Sequence, residues 1–237
     1  MNGELKKIID NSQNIVFFGG AGVSTESGIP DFRSEDGLYQ AQQKYGRSPE
    51  EMLSHTFFIR DSETFYDYYK NNLIHKNAQP NKAHKSLAKL EEMGKLSAIV
   101  TQNIDGLHQL AGSKNVYELH GSVLRNNCTD CNTFYDVDYI LEQEKVPLCQ
   151  KCQGVIKPDV VLYEEALDDQ VLRGAIKAIS EADTLIVGGT SLVVYPAAGL
   201  INYFKGKNLV LINKSVTPYD NKAHLVIHDS IGEVLSF

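Results

Sequence analysis

The chain has 237 residues, 42% hydrophobic and 22% charged, with a net charge of −7. These values describe an ordinary globular chain, long enough to bury a stable core without disulfides, and they argue against disorder. The negative balance disfavours tight binding to a nucleic-acid backbone, which depends on clustered Lys and Arg.

Met1 to Asp10 is polar and charged, so no apolar signal-peptide core is present and a cytoplasmic location is expected. The first apolar run is Ile15-Val16-Phe17-Phe18. It leads into the glycine-rich turn Gly19-Gly20-Ala21-Gly22-Val23-Ser24, and Thr25-Glu26-Ser27-Gly28 reads as a first helical turn. Glycines let backbone amides approach a pyrophosphate, and a helix start adds a favourable field. On its own, a glycine-rich turn after a strand is also compatible with a plain turn. The acidic ribose contact that a dehydrogenase places about 20 residues on is missing, because Gln40-Ala41-Gln42-Gln43 occupies that region. Residues 29–49 lack periodicity and read as one long loop, in which Asp31 and Arg33 form either a local salt bridge or a phosphate contact.

Pro49 to His75 is a helical, tyrosine-rich stretch. Asn81 to Met93 carries Ala83, Leu87, Leu90 and Met93 near helical spacing, and Gly94 supplies a stop. Ala98-Ile99-Val100 and Val116-Tyr117-Glu118-Leu119 are short apolar runs, followed further on by Leu185-Ile186-Val187, Leu209-Val210-Leu211-Ile212 and Leu225-Val226-Ile227. Most lack polar alternation and are predicted as strands buried on both faces. Asp168 to Ser180 repeats the helical pattern. Thr184 to Phe204 is 21 residues without a charge, but Gly188-Gly189-Thr190-Ser191, Pro196 and Asn202 break it into strand, turn and helix rather than a membrane span. Together these elements predict an α/β fold: a Rossmann-like parallel sheet of about six strands with helices on both faces, plus a small zinc-ribbon and helical module. Residues 1–48, 76–120 and 161–237 are expected to form the large unit, and 49–75 with 121–160 the small one.

Cys128 and Cys131 form one Cys-x2-Cys pair and Cys149 and Cys152 another, with 17 residues between the pairs. That spacing belongs to tetrahedral zinc ribbons, and four thiolates close the coordination sphere, so one structural zinc ion is expected. Two disulfides are the other reading of four cysteines and are disfavoured in a cytosolic chain. A ribbon acting only as a binding module is a further reading, but it accounts for about forty residues.

Thr101 to Asp105, Glu118 to Gly121, Gly188 to Ser191 and Asn213 each follow a predicted strand, and open α/β sheets bind ligands at that edge. His120 lies on this rim and is the candidate base. His84 and His108 fall on predicted helices and read as packing residues.

Gly20-Ala21-Gly22-Val23-Ser24, Ser27-Gly28-Ile29-Pro30-Asp31-Phe32-Arg33, Thr101-Gln102-Asn103-Ile104-Asp105-Gly106-Leu107-His108, Glu118-Leu119-His120-Gly121, the four cysteines and Gly189-Thr190-Ser191-Leu192 occur in this order over nearly the whole chain. In this the sequence resembles the sirtuin family of NAD-dependent protein deacylases. The resemblance implies removal of an acetyl or other uncharged acyl group from protein lysines, with NAD consumed and nicotinamide, free lysine and O-acetyl-ADP-ribose as products. It implies that the acyl oxygen attacks the anomeric carbon of the nicotinamide ribose and that His120 then takes a proton from a ribose hydroxyl. Asn103 and Asp105 complete the catalytic set: Asn103 holds a ribose hydroxyl or water, and Asp105 holds the nicotinamide carboxamide. Ala21, Thr25, Phe32, Arg33, Gln102, Ile104, Gly189, Thr190, Ser191, Asn213, Lys214 and Ile231 are the implied NAD contacts. Acylated peptides or proteins are the implied partners, entering beside Val160, Leu162, Val193 and Tyr195 as an added strand; no nucleic acid or membrane is expected. Desuccinylating relatives carry Tyr-x-x-Arg, whereas here Tyr66 is followed by Tyr69. A mono-ADP-ribosyltransferase shares cofactor and cleft and is the alternative. Tyr163-Glu164-Glu165 departs from the aromatic-Gly-Glu of many relatives.

Overall fold

The computed structural model describes residues 2–31 and 41–236. All six apolar runs are strands of one parallel sheet: β1 (Ile15–Gly19), β2 (Leu96–Thr101), β3 (Val116–Glu118), and, after an inserted small sheet, β7 (Thr184–Gly188), β8 (Asn208–Ile212) and β9 (Leu225–Ile227). Their order is β3-β2-β1-β7-β8-β9. The uniform hydrophobicity of the central runs has a direct cause. Ile15 and Phe17 of β1 face one core with Leu5, Ile8, Leu87 and Leu90, while Val16 and Phe18 face the opposite core with Ala175, Ile179, Leu200 and Ile201. Successive strand residues point to opposite faces, so a strand covered by helices on both sides has no polar position to alternate with.

The covering helices start where short polar side chains accept from their first amides. Asn2 caps Gly3–Asn11, Asn81 caps Lys82–Glu92 and Asp168 caps Asp169–Glu181. Such a cap is worth about 1 kcal/mol. The order also sets the site's position. From β1 the chain runs outward to β2 and β3 on one side, and later returns to place β7 on the other. A crevice opens between the carboxyl ends of β1 and β7, where the two connections diverge.

Between β3 and β7, three strands form an antiparallel sheet: β4 (Gly121–Cys128), β5 (Phe134–Asp136) and β6 (Ile156–Val160), in the order β5-β4-β6. Phe57 and Phe58 of the helix His55–Arg60, and Phe65, Tyr66 and Tyr69 of Ser62–Asn72, share one core with Val123, Ile140 and Ile156. The helical stretch after Pro49 and the cysteine-bearing segment therefore fold against each other.

Three local expectations change. Thr25–Ser27 is a short 3-10 turn, ended by Gly28 at φ +81°, and not the start of a longer helix. Residues 41–45 are helical rather than loop. Ala197–Tyr203 is a 3-10 segment. In the first and third cases local 3-10 turn geometry, which has no hydrophobic period of its own, decided the outcome.

Candidate active site

The glycine-rich turn after β1 and the loop after β7 interlock. Gly20 N–H donates to Gly188 O at 3.2 Å, and Gly22 N–H to Gly189 O at 2.8 Å. A β-carbon on Gly22 would stand 2.7 Å from Gly189 Cα, and one on Gly189 2.4 Å from Val23 N. Side chains are therefore excluded at both positions, and the two backbones form the floor of a shallow cradle. Ala21, Gly189, Thr190 and Ser191 line the cleft above it. Thr190 is held by its N–H donating to Asn213 Oδ1 at 2.9 Å and by Gln102 Nε2 donating to its Oγ1 at 3.1 Å.

The loop after β2 supplies the polar wall. Thr101 Oγ1 accepts from Asn103 N at 3.0 Å and turns the chain. Asn103 Nδ2 donates to Ser24 Oγ at 3.0 Å, and Ser24 Oγ donates to Asp105 Oδ2 at 2.7 Å. The second Asp105 oxygen accepts from Leu107 N at 2.9 Å. Ser24 is buried and ties the glycine loop to both residues of the polar wall. Ser24 belongs to the glycine-rich motif, and nothing local in the sequence connects it with a carboxylate 81 positions away.

His120 ends the segment after β3. Its Nδ1 lies 2.9 Å from the carbonyl oxygen of Gln102. A carbonyl only accepts, so Nδ1 carries the proton and Nε2 is the basic nitrogen. His120 O accepts from Val161 N at 3.0 Å, which joins the histidine to the segment after β6. His120, Gln102, Asn103, Ile104, Asp105 and, on the far wall, Val160, Leu162 and Tyr195 all border one cleft. No lysine or arginine does so among the described residues.

Of the expected contacts, Thr25, Lys214, Ile231 and Val193 do not border this cleft. Thr25 turns its hydroxyl onto Gly22 O at 3.0 Å. Lys214 is exposed. Ile231 is buried in the core behind Gly188 and Gly189. Val193 is 60% exposed, and its neighbour Val194 borders the cleft in its place. Phe32 and Arg33 lie outside the described residues. Tyr66 and Tyr69 are a correction: both are buried in the aromatic core, Tyr66 donating to Ile156 O and Tyr69 stacked on Phe65, and neither borders the cleft. The helix turns both faces of that pair inward because Phe65, Tyr66, Tyr68 and Tyr69 are all needed to fill the core.

Beneath Asp105, His84 and His108 pack with ring centroids 4.8 Å apart. Burial pushes His108 down to about 3, with His84 adding to the shift. Burial likewise pushes His84 down to about 4, opposed by the charge of Asp105. Both are core residues, as the helical pattern implied.

The four cysteines are free thiols gathered in one place. Sγ separations are 3.4 Å for Cys128–Cys152, 3.5 Å for Cys131–Cys149 and 3.4 Å for Cys131–Cys152. Four sulfurs about 2.3 Å from a central zinc would lie about 3.8 Å apart, close to what is found, so the donor set and its spacing fit a structural zinc ion. Cys128 and Cys149 are buried, and Tyr135 OH donates to Cys149 Sγ at 3.2 Å.

The profile of the Sir2 family matches residues 20–196. An NAD-dependent protein deacetylase of Clostridium perfringens is 71% identical over 233 residues, 98% of this chain and 96% of that one. One of Clostridium acetobutylicum is 67% identical, over 98% and 95%. Among solved structures, a Sir2 homolog–NAD complex superposes with a TM-score of 0.90 at 41% identity, covering 100% of this chain and 91% of that one. A Sir2–p53 peptide–NAD+ structure does so with 0.87 at 41%, covering 99% and 96%.

Proposed function

The chain belongs to the Sir2 family, and we propose that it works as an NAD-dependent protein deacetylase with His120 as general base. One observation carries the base assignment. The Gln102 carbonyl fixes the His120 tautomer, so the basic Nε2 belongs to a cleft that the Asn103–Ser24–Asp105 chain also borders.

NAD is the co-substrate, and its pyrophosphate rests beside the interlocked glycine loops, along Ala21 and Ser191, with Arg33 as the cationic partner. Asp105 accepts from the nicotinamide carboxamide. Ser24 and Leu107 each donate to one of its oxygens and so fix the direction in which the carboxylate accepts. Asn103 orients a ribose hydroxyl, and Ile104 walls the nicotinamide pocket. Once the acetyl oxygen has displaced nicotinamide, His120 Nε2 accepts the ribose hydroxyl proton. Neutral imidazole suits this step, since its ordinary pKa is about 6.5. Phe32 shields the reacting centre from water. The ribose alkoxide then attacks the acyl carbon, and one water, admitted only after nicotinamide has gone, completes the reaction: the C–N bond breaks, lysine leaves as the free amine, and the acetyl group stays as an ester on ADP-ribose, which makes the reaction a transfer.

The peptide lies between the segment after β6 and the loop after β7, along Val160, Leu162 and Tyr195, with Val193 at its outer edge. The division into 1–48, 76–120 and 161–237 against 49–75 and 121–160 puts this groove between the two units. The zinc ion is held by Cys128, Cys131, Cys149 and Cys152; it clamps the small sheet and leaves no position for water. The cytoplasm is the expected location, and no helix among the described residues is long and apolar enough to cross a membrane.

The test is an acetyl-lysine peptide incubated with and without NAD, followed by nicotinamide release and peptide mass. Loss of the acetyl mass only with NAD is the expected result. A protein that gains ADP-ribose while the peptide stays acetylated favours the mono-ADP-ribosyltransferase.

A further inference from the structure

Glu164 borders the cleft and stands at φ +77°, the left-handed region where a β-carbon is strained. Such a residue persists where its surroundings hold it. Its Oε2 accepts from Thr56 N at 2.9 Å and from Thr56 Oγ1 at 2.7 Å. Thr56 sits in the first turn of the helix His55–Arg60, where amides have no acceptor within the helix.

The contact is the outer end of a longer seam. His55 N–H donates to Tyr163 O and Tyr163 N–H to Leu53 O, each at 3.0 Å. Glu165 continues it inward: one oxygen pairs with His55 Nδ1 at 2.8 Å, and the other accepts from Leu162 N at 2.9 Å and Lys157 Nζ at 3.0 Å. The turn from Leu162 to Glu165 is thus fastened to the helix on one side while Val160 to Tyr163 faces the cleft on the other. Glycine at position 164 would adopt the same turn without strain, but would leave the Thr56 hydroxyl and amide without this acceptor.

We propose that Glu164 is a positioning residue for the acyl-lysine peptide. By holding the Leu162–Glu165 turn against Thr56, it keeps the cleft edge at Val160 to Tyr163 in the shape along which a peptide backbone pairs. It touches none of the reacting atoms. An edge ordered before binding spares the peptide the cost of ordering it, so the effect belongs in peptide affinity. The proposal rests on the peptide path given above.

The test compares E164G, which permits the backbone but removes the acceptor, with E164Q, whose amide oxygen still reaches Thr56. Acetyl-peptide kinetics are read beside amide exchange of residues 162–165 in the ligand-free protein. Expected for E164G are a peptide KM raised roughly 3- to 10-fold, as for loss of one or two hydrogen bonds, kcat within about twofold, an unchanged KM for NAD and faster exchange; E164Q should stay near the parent. An unchanged peptide KM in E164G overturns the proposal, even with faster exchange, and so does an equal loss in kcat that E164Q fails to rescue. Binding of a fluorescent acetyl-lysine peptide to both proteins gives the same ratio without turnover. Absence of deacetylation in the parent would therefore be told apart from failure of the clamp.

Discussion

The Nδ1 atom of His120 and the carbonyl oxygen of Gln102, two residues 18 positions apart, lie 2.9 Å from each other just past the ends of β3 and β2. This contact places the proton on Nδ1 and leaves Nε2 as the base. His120→Ala should therefore lose turnover by about 10²- to 10⁴-fold, the usual worth of a positioned base. Circular dichroism and thermal midpoint should stay near the parent values, because His120 is only partly buried and belongs to none of the three cores. Near-parental turnover would remove His120 from the mechanism.

Ser24→Ala removes one hydroxyl and leaves two groups without their partner, Asn103 Nδ2 and Asp105 Oδ2. An unsatisfied buried polar group costs about 1 to 3 kcal/mol. The expected outcome is a fall of roughly 10- to 100-fold in kcat/KM for NAD, the same cost read as a rate. Steady-state kinetics at varied NAD check it, and an unchanged value would show that Ser24 orders nothing that matters.

Cys128→Ser should lose zinc and the folded small sheet together, because the four thiolates hold the ends of β4 and the segment before β6 around one point. Metal content and near-ultraviolet circular dichroism of the same sample give the answer. A folded, metal-free variant would contradict a structural ion.

His84 and His108 predict acid sensitivity of the fold. Both are depressed below the ordinary histidine value, so they are neutral in the folded chain while the unfolded chain protonates first. Their contribution is fully present above pH about 6.5 and declines as pH falls towards 4 and 3. Each histidine that only the unfolded chain protonates costs about 1.4 kcal/mol per pH unit below about 6.5. Urea midpoints should fall between pH 7 and 4, and His108→Asn should flatten that slope. An unaltered slope would assign the acid sensitivity to other groups.

Tyr69→Arg places a charge in a fully buried aromatic site. The resemblance to desuccinylating relatives implied that this change would admit succinyl groups; the packing predicts instead a loss of about 3 kcal/mol or more, as for an unpaired buried charge. Thermal melting and a succinyl-peptide assay decide between them, and a stable variant that removes succinyl groups would restore the acyl-pocket reading.

The chain's own pattern of residues was enough for the strands, the helices that start at Asn81 and Asp168, the four-cysteine cluster and the rim on which His120 stands. Those features are local: apolar runs, capping side chains and paired cysteines carry their physics within a few positions. What required the folded chain was every relation across distance. Ser24 meets Asp105 because the order β3-β2-β1-β7-β8-β9 sets β1 beside β2. Tyr69 turns into a core because Phe65 and Ile156 surround it. Glu164 tolerates a left-handed backbone where Thr56, 108 positions earlier, supplies two donors. Periodicity records which face of an element is buried; it holds no information on which distant side chain completes a hydrogen bond, and that is set only when the elements pack.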